Sequence, residues 1–309
     1  MSKEVKTGAF YAGFSYILWG VLPIYWKLLN DVSAGETLAN RVVWSFAFML
    51  ILLVLMRKWG AFIQTFKGLF SNKKQLMGLF LASILISGNW YIFIWAVNSD
   101  RIIETSLGYY INPLISVLLG MLVFKEKLSA SQLVSFILAT VGVLILTISY
   151  GEFPWVSILL ALTFGLYGLA KKMVKVDSEI GLTLETLVIT PIAFIFIVNL
   201  FINDNHSLFN GEMQTDLLMM GAGVATAIPL LFFARGVQRI PLSMVGFLQY
   251  IAPTIMLILG VFVYGEYFSK VHLLSFIFIW ISLTLYSMSK TKLIIHLESK
   301  WKKGNEIGL

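Results

Sequence analysis

The fold this sequence predicts is an all-α integral membrane protein: ten transmembrane helices arranged as two inverted five-helix repeats. Three observations predict it. The 309-residue chain is 58% hydrophobic and only 13% charged, with a mean hydropathy of +0.85, where a soluble domain carries about a quarter charged residues. Residues 104–137 recur at 244–277 with a constant offset of 140. The basic residues also alternate in density from one connection to the next.

Apolar stretches fall at 8–26, 37–56, 76–98, 104–124, 132–150, 154–170, 182–202, 216–236, 242–264 and 271–290. Each is long enough to cross about 30 Å of hydrocarbon at about 1.5 Å per residue. Lipid offers no hydrogen-bond partner to the backbone, so the segments are expected to be helical. The first runs into Pro23, Trp26 and Lys27 without a small-x-small cleavage site and reads as a retained helix. The linkers 57–75 and 203–215 are too short to fold as domains. The chain has no cysteine, which excludes disulfides and thiolate chemistry.

The offset of 140 pairs Tyr110 with Tyr250, Pro113 with Pro253, Gly120 with Gly260, Glu126 with Glu266 and Ser129 with Ser269. At the front of each half, Gly20 and Lys27 fall on Gly165 and Lys172 at an offset of 145. The organisation read from this is a first repeat at 8–150, a second at 154–290 and a cytoplasmic tail at 291–309. Five spans per copy is an odd number, so the second copy must enter the bilayer upside down. Duplicated, inverted helix sets are a common construction for moving solutes through a bilayer.

With the N-terminus inside, 19 of the 23 Lys and Arg fall on inner segments, three (Lys27, Arg101, Lys270) lie outside, and Arg41 sits within the second span. This positive-inside bias places both termini in the cytoplasm. It also explains the net charge of +7 as orientation and headgroup attraction; the basic residues are too scattered for a nucleic-acid surface.

Five prolines lie within spans: Pro23, Pro113, Pro191, Pro229 and Pro253. Each removes a backbone donor and frees the carbonyl four residues earlier, which must meet protein or water. The repeated pair, Pro113 and Pro253, reads as a hinge. Polar stripes run beside them: Tyr109, Asn112, Ser116 and Gly120 on the fourth span; Gly246, Gln249, Pro253 and Gly260 on the ninth; Tyr91, Trp95 and Asn98 on the third. Gly120 and Gly260 suit close helix packing, whereas Asn112 and Gln249 suit a cavity. Arg41, about a turn into its span, either snorkels outward, pairs with Glu104 or meets an anionic substrate. Glu185, a turn inside the seventh span, joins Glu104 as a candidate for proton coupling. Deep aromatic rings, among them Trp44, Trp90, Trp95, Tyr110, Tyr167 and Tyr250, are candidates for a cavity wall.

His206, His272 and His296 have no metal-ligand spacing, and the chain carries no nucleotide-binding loop or nucleophile elbow. No cofactor is expected.

The segments LANRVVWS (38–45), NWYIFIWAVNSDRIIETSLGYYINPL (89–114) and TAIPLLFFARGVQRIPLSMVGFLQYIAPT (226–254) resemble the EamA-type permeases of the drug/metabolite transporter superfamily, specifically the RarD subfamily. The resemblance covers residues 8–288. It implies solute translocation in a bacterial cytoplasmic membrane, in a group often labelled chloramphenicol-sensitive proteins with no settled substrate. It carries over Arg41, Trp44, Asn89, Trp90, Asn98, Glu104, Tyr110, Asn112, Pro113, Gln249, Tyr250 and Pro253 as motif positions without roles.

The expectation is therefore a permease working by alternating access on a small metabolite or amphiphilic solute, exporting on family grounds. Arg41, Trp44, Asn89, Trp95, Asn98, Tyr110, Asn112, Gln249 and Tyr250 are the expected substrate-binding residues. Its partners would be that solute and membrane lipid, not nucleic acid, with a homodimer left open. The alternatives are an intramembrane enzyme acting on a lipid or prenyl substrate, and a channel or sensor.

Overall fold

The structure is a computed structural model that describes residues 2–99, 101–174, 176–265 and 268–289; the side chains of residues 94, 97, 98, 102 and 103 are outside that set. The expected tail 291–309, Glu266 and the Asn98 side chain therefore lie outside the described residues.

The described chain is helical, and ten helices are long and apolar enough to cross a membrane. They are α1 (Lys3–Lys27), α2 (Ala34–Leu55), α4 (Lys73–Asn98), α5 (Ile102–Val123), α6 (Ala130–Tyr150), α7 (Trp155–Met173), α8 (Ser178–Ile202), α9 (Met213–Val237), the broken helix α10–α11 (Leu242–Gln249, Ile251–Ile258) and α12 (Lys270–Met288). An additional helix, α3, spans Trp59–Leu69.

Local chemistry sets the ends. The Ser2, Ser33, Ser129 and Ser269 side chains cap α1, α2, α6 and α12 by accepting a first-turn N–H. Ser129 and Ser269 are repeat counterparts, so the duplicated serine has the same task twice. Gly151, at φ +82°, ends α6 in the left-handed conformation that glycine tolerates best.

Two features add to the expected spans. The segment 57–75 is not a bare linker. Trp59, Phe62, Phe66 and Phe70 form a chain of ring contacts along one helix face, with centroids 5.5, 6.4 and 5.5 Å apart. Phe62 and Leu69 bury themselves in a cluster with Val174, Val176 and Ile180 beside the α7–α8 connection, while Trp59 and Phe70 stay exposed. This is the pattern of a helix lying in a membrane interface. The ninth span is also not continuous. It breaks at Tyr250, three residues before Pro253, and ends in a π-helical stretch, Leu259–Val263, that contains Gly260. Its counterpart α5 passes Pro113 without a break.

Helix packing respects the sequence repeat. Matching α1 with α7, α2 with α8, α4 with α9, α5 with α10–α11 and α6 with α12 leaves the principal pairings unchanged. α5 packs on α7 as α10–α11 packs on α1; α4 packs on α7 as α1 packs on α9; α2 packs on α9 as α4 packs on α8. The pairs α2–α8, α5–α10 and α6–α12 map onto themselves. Small residues make these approaches possible. A Cβ on Gly223 of α9 would sit 2.3–2.5 Å from Trp44 and Ser45 atoms of α2, and the Ser45 hydroxyl donates to the Gly223 carbonyl at 2.8 Å.

Side-chain bonds tie the connections together in two groups, one at each end of the bundle. At one end the Glu36 carboxylate accepts from Ser207 and Leu208 N–H at 2.7 and 3.0 Å. There too, Glu104 accepts from Val156 N at 3.2 Å. At the other, Lys58 pairs with Asp177 and Glu179 at 2.7 and 3.0 Å. Arg235 also pairs with Glu179, and Glu126 accepts from Leu242 and Ser243 N–H at 2.7 and 2.9 Å.

Candidate functional site

Between these two ends lies a cavity of about 690 Å³, inside the ~300–1,000 Å³ range of small-molecule sites. At one end it reaches the α1–α2 connection, where Lys27, Asn30 and Val32 line it. Its depth is reached at Asn112 of α5, Phe164 of α7 and Gln249 of α10. Beyond the floor, Phe233 packs against Tyr16, Phe164 and Tyr167, with ring centroids 6.2, 5.5 and 5.9 Å apart. Further on, the Lys172 ammonium donates to the carbonyls of Val237 and Ile240. Aromatic packing and polar ties thus stand between the cavity and the opposite end of the bundle.

The structure brings six of the expected residues to this cavity: Arg41, Asn89, Trp90, Asn112, Gln249 and Pro253. Arg41 Nε donates to Thr226 Oγ1 at 2.9 Å, and Thr226 in turn donates to the Ala222 carbonyl at 2.8 Å. The guanidinium lies 4.4 Å from the Trp26 ring centroid and 5.7 Å from that of Trp90. A charge inside a span costs about 2.5–3.5 kcal/mol near the centre; two aromatic faces recover about 0.5–2 kcal/mol each. The expected pairing with Glu104 is not made. Arg101 takes Glu104 instead, at 2.7 Å, and Arg41 has no carboxylate partner among the described residues.

The amides divide their roles. Asn89 uses its NH2 group on Leu160 O and Thr163 Oγ1, both at 2.9 Å, which ties α4 to α7. Gln249 accepts from Ser116 Oγ at 3.0 Å, tying α10 to α5, and lies beside the Tyr16 hydroxyl. Asn112 differs: its Oδ1 is buried with no hydrogen-bond partner, a costly state for a polar atom unless a ligand or water meets it.

The remaining expected residues stand elsewhere. Trp44 presses against Gly223 in the α2–α9 contact. Trp95 is 38% exposed and packs on Trp155 at 5.4 Å, and Tyr91 is 67% exposed, so these two residues of α4 face outward. Tyr110 and Tyr250 are behind the cavity wall, where Tyr110 meets the Phe276 ring edge at 5.3 Å. The Pro113 carbonyl abuts Gly246 of α10. Glu104 is 1% exposed and holds Arg101 and Val156 N. Glu185 is paired with Lys171 at 2.9 Å and accepts from the Tyr167 hydroxyl at 3.2 Å. The two glutamates are buried away from the cavity lining.

Sequence reasoning overlooked Trp19, Trp26, Phe164 and Thr226 as lining residues. A signal existed for the first two: Trp19, Pro23 and Trp26 fall at i, i+4 and i+7 and share one helix face.

A membrane-embedded bundle with a partly polar central cavity, no metal cluster among the described residues and a duplicated helix set defines a multi-pass membrane transporter. The profile of the EamA-like transporter family matches residues 6–148 and again 154–288, and the chain belongs to that family. It is 48% identical over 311 residues to "Uncharacterized transporter YojE" of Bacillus subtilis, covering 98% of each chain. It is 37% identical to "Protein RarD" of Escherichia coli, over 93% of this chain and 96% of that one. A solved protein structure, 16% identical, superimposes with a TM-score of 0.67 over 90% of this chain and 96% of that one, which shows the shared fold. The family is one of transporters rather than enzymes, so the reading as an intramembrane enzyme falls.

Proposed function

We propose that the chain is a secondary carrier that exports a small amphiphilic metabolite across the bacterial cytoplasmic membrane by alternating access, with the central cavity as its binding site. The observation that supports this is the cavity itself, which reaches the α1–α2 connection and is separated from the opposite end by side-chain packing and ties; the proposal takes the α1–α2 end as the open one. Inverted halves are part of the proposal, as are cytoplasmic termini, which make the open end the external one. The two halves differ in just the way an access change requires: α5 is continuous through Pro113, while its counterpart is broken at Tyr250 ahead of Pro253. Broken helices at the midplane, with their loosened backbone, are recurrent in carrier sites. Arg41, Asn112 and Gln249 contact the solute in this reading. Glu104 and Glu185, each held by a basic partner, act as fixed anchors rather than coupling groups.

The test is counterflow in proteoliposomes with compounds chosen from metabolite profiles of cells with and without the gene. A carrier gives saturating flux and trans-stimulation; a channel gives flux that does not saturate. Asn112→Ala and Gln249→Ala are expected to abolish flux at normal membrane expression. Unchanged flux in both would remove those amides from the site.

A further inference from the structure

The charges around the cavity point to its substrate class, a reading that rests on the carrier proposal and goes further. Lys27 and Arg41 line the cavity, and no Asp or Glu among the described residues does. Neither cation has a salt-bridge partner among the described residues. Of the carboxylates near the α1–α2 end, Glu36 is committed to the Ser207 and Leu208 N–H groups, Glu104 to Arg101 and Val156 N, and Asp216 to Phe209 N, while Asp31, between the lining residues Asn30 and Val32, is exposed and does not line the cavity. Lys27 rests with its Nζ 3.2 Å from the Tyr264 ring centroid. Arg41 is held in place by Thr226 and two indole rings, yet among the described residues only its Nε is hydrogen-bonded. Its terminal nitrogens are left as a two-pronged donor, the geometry that recognises a carboxylate.

A second observation is independent of charge. Asn112 lines the cavity, and its buried Oδ1 has no hydrogen-bond partner among the described residues, so a turn of the amide would offer that acceptor to a ligand's donor. Between these polar points the wall is aromatic, with Trp19, Trp90 and Phe164 among its rings. The positions of the cation, the acceptor and the flat apolar surface together describe a ligand.

We infer that the cavity binds an amphipathic organic anion: a carboxylate head on Arg41, a flat apolar body against the rings, and a donor group that satisfies Asn112. Lys27 at the mouth steers the anion inward and does not hold it. A neutral or cationic amphiphile of the same shape leaves Arg41 unmatched in a poorly solvated place and is rejected.

The experiment is isothermal titration of purified protein in phosphatidylcholine nanodiscs with 3-(4-hydroxyphenyl)propionate, its amide and the corresponding propylamine. One charge-assisted contact corresponds to a preference for the acid of about ten- to a hundredfold. Arg41→Gln should bring acid and amide to equal affinity, while Arg41→Lys keeps a preference for the acid and guards against a Gln variant that fails to fold. Equal or stronger binding of the amide or amine to the native protein overturns the inference, as does absence of binding by all three. Adding phosphatidylglycerol to the discs separates a soluble anion from a lipid headgroup. Unchanged acid affinity supports the inference, and loss of it assigns Arg41 to lipid and overturns it. Counterflow with the same compounds tests the carrier reading separately: an amide that binds and exchanges as well as the acid leaves a carrier without anion selectivity.

Discussion

Tyr250 donates its hydroxyl to the backbone carbonyl of Tyr110, its own counterpart 140 residues earlier, at 3.3 Å. The contact joins the two halves where α5 meets the break between α10 and α11. Tyr250 is 1% exposed there, packed with Ala139 and Ile279. The shared motif that suggested a binding residue is thus a fastening between copies. Tyr250→Phe should remove one hydrogen bond and little else, a loss of about 0.5–1.5 kcal/mol. Thermal unfolding in detergent is expected to shift down by a few degrees with ligand affinity intact. Loss of binding at unchanged stability would return Tyr250 to the site.

The Lys171–Glu185 pair makes a prediction of the opposite kind. Both side chains are almost fully buried, with Nζ and Oε1 2.9 Å apart and the Tyr167 hydroxyl on the second carboxylate oxygen. Removing one partner of such a pair strands the other charge and costs about 3–5 kcal/mol. Glu185→Gln should therefore destabilise strongly, and pairing it with Lys171→Met should restore most of the loss. A stable Glu185→Gln protein that has lost only proton-driven flux would make Glu185 the coupling residue after all.

The helices were legible because hydropathy over some twenty residues depends on composition alone. What escaped is what depends on neighbours. α3 was hidden by its length, though its aromatic spacing was in plain view. In helices that are apolar all round, no stripe says which face meets protein, so Tyr91 and Trp95 were placed inward on the strength of being polar or large. That Arg41, Asn89, Asn112 and Gln249 would line a cavity was legible because an amide or a cation in a span has few acceptable places to go. The partners of the two glutamates were not legible for a related reason: a buried carboxylate needs a partner, and the sequence does not say that Arg101 and Lys171 are in reach.

Gly223 lies at a close approach between α2 and α9, the two helices that supply Arg41 and Thr226. A methyl group there would overlap the Trp44 and Ser45 backbone at 2.3–2.4 Å, so the helices must separate. Overpacking of this kind costs about 1–3 kcal/mol. It would also stretch the 2.9 Å bond between Arg41 and Thr226. Gly223→Ala is expected to lower both thermal stability and affinity for the anion probe, whereas Gly60→Ala, which meets nothing within 4 Å, should change neither. Equal behaviour of the two variants would mean that the α2–α9 spacing does not set the site.

The closed end depends on Glu126. Its two carboxylate oxygens accept from Leu242 and Ser243 N–H at 2.7 and 2.9 Å, so the α5–α6 connection caps the N-terminus of α10, where a negative charge is favoured. Gly120 makes room for this, since a Cβ there would lie 2.7 Å from the carboxylate. Each charge-assisted bond is worth about 1.5–3 kcal/mol, and about 1.4 kcal/mol is tenfold in a population. Glu126→Ala should therefore loosen the closed end and move molecules toward the opposite access, with the α1–α2 mouth shut. The chain has no cysteine, so Asn30→Cys at the mouth reports alone. Its reaction with a membrane-impermeant maleimide is expected to slow by about tenfold or more in the Glu126→Ala background, and by less with Glu126→Gln, which retains one acceptor oxygen. Labelling at the same rate in all three would show that the Glu126 cap holds α10 without governing access.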